Sequence, residues 1–120
     1  MLASVQRWSG PALVLLGVLS LYLFTTPQPS ADPGFPGADK LVHAGLFAGL
    51  AFSARFRFAA HPVALLTVLA YAVASELIQA VALPTRAGDV NDLIADVAGL
   101  LGGWLVARAL AWEGAITPPR

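Results

Sequence analysis

PVALLTVLAYAVASELIQAVAL (residues 62–83) is an apolar run broken mainly by Glu76 and Gln79. Roughly 20 such residues cross the hydrocarbon of a bilayer, so this stretch has the length of a complete span. Inside lipid, backbone groups must pair within their own segment or within a closed barrel. Barrel-type alternation is missing here, so the expected form is a transmembrane helix.

Composition extends that reading to the whole chain. Its 120 residues allow one domain at most. They are 58% hydrophobic and 12% charged, with a mean hydropathy of +0.73, against about 25% charged residues in ordinary soluble domains. A soluble fold this small could not hide so much apolar surface. Seven basic residues balance seven acidic ones, so bulk charge gives no reason to expect a nucleic-acid partner. The absence of cysteine removes disulfides and thiolate metal sites.

Three further apolar segments flank the first. One runs over residues 11–25, and Val5 and Trp8 can extend it. A second, residues 41–54, is short unless Lys40 and Arg55 snorkel to the interfaces. The last begins near Leu93 and reaches Trp112. TPQPSADPGFPGAD (26–39) and PTRAGDVND (84–92) read as a loop and a turn. The expectation is an all-α integral membrane bundle of four transmembrane helices, at about 9–26, 39–57, 62–83 and 91–112, in one domain over residues 1–120. Arg7 followed by an apolar core also fits a cleaved signal peptide. Pro29, however, stands where a small residue should precede a cleavage site at Ala31, which favours a retained helix.

Orientation follows from the bases. Arg7, Arg55, Arg57, Arg108 and Arg120 lie at the two termini and in the second loop, whereas Lys40 and Arg86 lie in the first and third. Both termini are therefore expected in the cytoplasm. The polar residues with chemical potential then gather on the outer side. Asp39, Lys40 and His43 open the second helix, Glu76 and Gln79 lie in the outer part of the third, and Arg86, Asp89 and Asp92 fill the outer turn. Asp96 is one helical turn into the fourth.

Spacing puts Glu76 and Gln79 on one helix face, Lys40 and His43 on another, and Asp92 and Asp96 on a third. The last face continues through Ala95, Gly99, Gly103 and Ala107, a row of small residues that lets helix backbones approach or copies of the chain associate. Gly45 and Gly49 form a similar notch. Glu76 lies about 10 Å below the outer end of its helix at 1.5 Å per residue. A charge at the bilayer centre costs roughly 2.5–3.5 kcal/mol, so this carboxyl must be protonated, paired or watered. Arg86, Lys40 and His43 are its available partners. A structural polar clamp between helices and a ligand or proton site both fit.

His43 can act as an acid or base near neutral pH, but no nucleophile accompanies it in a recognisable arrangement. Metal binding by His43, Glu76, Asp89 and Asp92 is a weaker alternative, because no HExxH or comparable ligand spacing occurs; neither a metal site nor a cofactor is the expectation. Arg55-Phe-Arg57-Phe suits a lipid-headgroup anchor, Trp8, Trp104 and Trp112 suit interfaces or packing, and Asp89, Asn91 or Asp92 can cap the fourth helix.

DKLVHAGLFAGLAF (39–52) and ASELIQAVALPTRAGDVNDLIADVAGLLGGWL (74–105) together resemble the VanZ-like membrane proteins. The shared pattern is Asp39, Lys40, His43, Glu76, Gln79, Pro84, Arg86, Asp89, Asp92, Gly99 and Gly103, in that order. It departs at Asp96, where the family usually has Asn. The resemblance implies a multi-pass protein of the bacterial cytoplasmic (inner) membrane, in a family associated with teicoplanin-type glycopeptide resistance and with envelope-polysaccharide genes.

The leading expectation is a non-enzymatic envelope protein. Its outward pocket of Asp39, Lys40, His43, Glu76, Gln79, Arg86, Asp89, Asp92 and Asp96 would bind a lipid-linked envelope molecule or a glycopeptide, with membrane lipids around it. Two alternatives stay open: an intramembrane hydrolase or transferase acting on a lipid-linked substrate, and a small proton-coupled carrier or self-associated channel.

Overall fold

A computed structural model describes residues 1–25, 37–82 and 90–116. They form four helices, α1 (Leu2–Thr25), α2 (Ala38–Arg57), α3 (Pro62–Ala82) and α4 (Val90–Ile116). Most of the first loop and most of the outer turn, with Arg86 and Asp89, lie outside the described residues.

Three of the helices contain stretches long and apolar enough to cross a membrane: Leu2–Thr25, Pro62–Val81 and Val90–Trp112. They expose Val14, Leu15, Val18, Leu66, Leu77, Val81, Ile94, Leu101 and Leu105. Such continuous apolar surface is a liability in water and the natural outer layer in lipid. α2 differs. It buries His43, Leu46, Phe47, Leu50, Ala51, Ser53, Ala54 and Phe56, and it packs on all three other helices, most extensively on α4. A helix enclosed by its neighbours needs no apolar belt facing lipid, which explains why α2 is the least apolar of the four.

α1 begins at Leu2 and not near residue 9. In the fold Pro11 is internal, and the helix forgoes the bond its nitrogen would have made to the Arg7 carbonyl.

Contacts advance along two helix pairs in step. Lys40 meets Asp92, His43 meets Asp96, and the backbones at Ala44 and Ala48 approach Gly99 and Gly103. α2 and α4 are therefore parallel. Ser20 meets Tyr71 and the Phe24 carbonyl meets Gln79, so α1 and α3 are parallel too. The α2–α4 seam is as tight as backbones allow, because a Cβ at Gly99 or Gly103 would collide with the carbonyl of Ala44 or Ala48. The small-residue row on α4 thus serves a contact within the chain. On α2, Gly49 receives the Leu16 side chain of α1 and Gly45 faces open space.

Four residues, 58–61, join α2 to α3. Phe58 N–H donates to the Ala54 carbonyl and Ala60 N–H to that of Arg55, which closes α2 with a left-handed cap at Ala59 (φ 50°) and Ala60 (φ 65°).

Candidate functional site

The polar cluster forms where the N-terminal ends of α2 and α4 meet the C-terminal end of α3. Gly99 and Gly103 fix which face of α4 meets α2. One turn earlier on that face stands Asp96, and a further turn earlier stands Asp92. On α2 the opposing residues are Lys40 and His43, and α3 contributes Glu76.

His43 is the centre of the arrangement. Its Nδ1 lies 2.7 Å from Asp96 Oδ1 and 3.8 Å from Glu76 Oε1, while Nε2 lies 3.9 Å from Asp92 Oδ2. The imidazole stacks on Phe24 of α1, with ring centroids 4.6 Å apart. Asp96 is fully enclosed, and His43 and Glu76 keep only 4% and 7% of their surface. An ionised carboxylate can only accept, so an ionised Asp96 holds a proton on His43 Nδ1 and leaves Nε2 facing Asp92. Asp96 Oδ2 is buried and has no hydrogen-bond partner among the described residues.

Lys40 borders this centre. Its ammonium lies 3.1 Å from Asp92 Oδ1 and 3.3 Å from Asp39 Oδ2, and Asp39 in the first turn of α2 also faces the positive end of the helix dipole. The Gln79 amide donates to the Phe24 carbonyl at 3.1 Å. That carbonyl belongs to the last turn of α1, where intrahelical partners run out, so Gln79 satisfies a helix end. Six expected residues (Asp39, Lys40, His43, Glu76, Asp92 and Asp96) thus share one cluster and Gln79 adjoins it. Arg86 and Asp89 lie outside the described residues.

The fold adds partners that sequence reasoning missed. Phe24, the ring against His43, is one aromatic residue in an apolar helix and carries no sequence signal. Ser20 and Tyr71, whose hydroxyls lie 2.7 Å apart, link α1 to α3. The reading of ligand spacing also needs amending. His43, Glu76 and Asp92 bring ligand atoms within 4.8 Å of one another, but from three different helices, so no local spacing could reveal them. A groove of about 570 Å³ opens between α1 and α3, with Leu13, Gly17, Leu50 and Val68 in its lining. It is apolar, and none of the expected site residues lines it.

The opposite end of the bundle is basic and aromatic. The Arg55 guanidinium lies over the Trp104 ring at 5.7 Å, and Arg57 packs beside Gly10 of α1. Fifteen residues of α2 separate Lys40 from Arg55, about 22 Å at the rise of a helix, so the two polar ends are most of a hydrocarbon thickness apart.

The VanZ/LLP1 family model matches residues 4–111, nearly the whole chain, and the chain belongs to that family. No curated protein and no solved structure matches it.

Proposed function

We propose that this member of the VanZ/LLP1 family is a four-span protein of the bacterial cytoplasmic membrane, with both termini in the cytoplasm. Its outward polar cluster binds an envelope-related or lipid-linked molecule. Through that ligand the protein contributes to teicoplanin-type resistance or to envelope-polysaccharide biogenesis. α2 has 20 residues, about 30 Å of helix, which is enough to cross. The arginine-rich end, with Arg7, Arg55, Arg57 and Arg108, supports the cytoplasmic assignment.

The observation that carries the reading is a buried His43–Asp96 pair with Glu76 and Asp92 beside it in an otherwise apolar bundle. Apolar packing alone would hold four helices together. Polar groups kept at such cost within a membrane are functional candidates by default. The test is complementation of a deletion strain under glycopeptide and cell-wall stress by Glu76→Gln, Asp92→Asn and Arg86→Ala. Loss of complementation with normal membrane levels supports the site, and full complementation by all three removes it. Reporter fusions at both termini test the topology.

One observation supports an enzymatic reading. Asp96 on Nδ1 orients His43 as carboxylates orient general bases, with Nε2 left for a proton. Turnover of a labelled lipid-linked precursor by the purified protein would favour that reading over binding alone.

A further inference from the structure

We propose that His43, Glu76 and Asp92 form a binding site for one first-row divalent cation, of the zinc or manganese type, with Asp96 as the group that orients His43. This rests on the cluster described above for its location, and not on the identity of any envelope ligand.

Four observations carry it. The three residues come from three helices and bring their ligand atoms within 4.8 Å of one another. Metal–ligand bonds of about 2.0–2.1 Å in tetrahedral array put ligand atoms roughly 3.4 Å apart. The 3.9 Å separation between His43 Nε2 and Asp92 Oδ2 therefore needs to close by about half an ångström, and Glu76, whose Oε1 lies 3.8 Å from the other ring nitrogen, is the third ligand by its place in the same group.

The tautomer is also set for the purpose. With its Nδ1 proton held by Asp96 at 2.7 Å, His43 offers a lone pair at Nε2, and Asp92 Oδ2 offers another 3.9 Å away. That gap is too long for a hydrogen bond and leaves two acceptors facing each other, which a cation between them resolves. Carboxylate, imidazole and metal in series is the usual way proteins orient a histidine ligand.

Asp92 has an oxygen for each task, since Oδ1 meets Lys40 and Oδ2 faces His43. Charge points the same way. Among the described residues the cluster holds four acids, Asp39, Glu76, Asp92 and Asp96, against Lys40 and His43. The fully buried Asp96 has an oxygen with no hydrogen-bond partner among the described residues. Mixed imidazole and carboxylate ligands suit zinc, manganese or iron better than magnesium or calcium.

The experiment is titration of the purified, detergent-solubilised full-length protein with Co²⁺, read by its visible d–d absorption, followed by displacement with Zn²⁺. One saturable equivalent is expected. His43→Gln and Asp92→Asn should each weaken it at least tenfold while circular dichroism and gel filtration stay unchanged. Asp96→Leu, which removes the acceptor for the Nδ1 proton, should weaken it 10- to 100-fold, as loss of an orienting group does elsewhere. Lys40→Met, which frees Asp92 from a competing cation, should tighten it several-fold. Absence of saturable binding to the wild type overturns the proposal, as does binding that survives both His43→Gln and Asp92→Asn. Complementation separates this from the functional reading. Variants that complement yet lose Co²⁺ remove the envelope role and keep the metal site. Variants that fail to complement in a protein that never binds Co²⁺ do the reverse.

Discussion

Asp96 Oδ1 lies 2.7 Å from His43 Nδ1, with both side chains closed off from the surface. The contact joins α2 to α4 one turn before the backbones converge at Gly99, so it acts at once on packing and on the orientation of the imidazole. An Asn at this position could also accept from Nδ1 through its amide oxygen.

Replacing Asp96 therefore should divide sharply by chemistry. Asp96→Leu fills the space but leaves a buried imidazole N–H unmatched, a loss of about 2 kcal/mol. Asp96→Asn keeps an acceptor and should stay within about 1 kcal/mol of the wild type. Unfolding in mixed detergent micelles, followed by circular dichroism, measures both. Equal losses would mean that the hydrogen bond contributes nothing and that charge alone matters.

The Lys40–Asp92 pair should behave differently. Lys40 is 38% exposed at its side chain, so water screens the pair and exposed ion pairs contribute only about 0.2–1 kcal/mol. Lys40→Ala should leave the unfolding midpoint nearly unchanged. A large drop in the same unfolding assay would make Lys40 a structural clamp, with no part in the site beyond holding Asp92.

How far the sequence disclosed this arrangement depended on what kind of signal each residue carries. Hydropathy identifies α1, α3 and α4, because helices facing lipid must be apolar along their length. It underrates α2, whose enclosure by the other three is a tertiary fact. Spacing and charge bias placed Lys40, His43, Glu76, Asp92 and Asp96 at one end, and the fold brings them within a few ångströms. Phe24 was invisible because a stacking ring looks like any other apolar residue, and His43, Glu76 and Asp92 read only as a weak metal-binding alternative because members of a three-helix set are far apart in sequence and share no ligand spacing. The extension of the first segment over Val5 and Trp8 is realised in α1, which begins at Leu2.

Ala59 and Ala60 make the turn after α2 with positive φ, a conformation that costs an L-residue roughly 1–2 kcal/mol and glycine almost nothing. Glycine also has more freedom to lose on folding, about 0.4–1 kcal/mol. Ala60→Gly should therefore stabilise the protein by up to about 1 kcal/mol. The expected readout is a small rise in thermal midpoint in detergent. A fall would show that the strain is relieved elsewhere.

The α2–α4 seam gives the sharpest test of the fold. Gly99 and Gly103 face the Ala44 and Ala48 carbonyls so closely that any Cβ must push the backbones apart, whereas Gly102 has open space where its Cβ would be. Overpacking a close seam typically costs about 1–3 kcal/mol, while alanine for glycine inside a helix gains up to about 1 kcal/mol where nothing is touched. Gly99→Ala should therefore destabilise the bundle and Gly102→Ala should not, although both make the same chemical change within one turn of one helix. Separation of α2 from α4 at Gly99 would also widen the distance between His43 and Asp96, one turn away. Gly99→Ala should accordingly lower complementation together with stability, and Gly102→Ala should leave both intact. If the two variants behaved alike, α2 and α4 would not be the closely packed pair that positions the site.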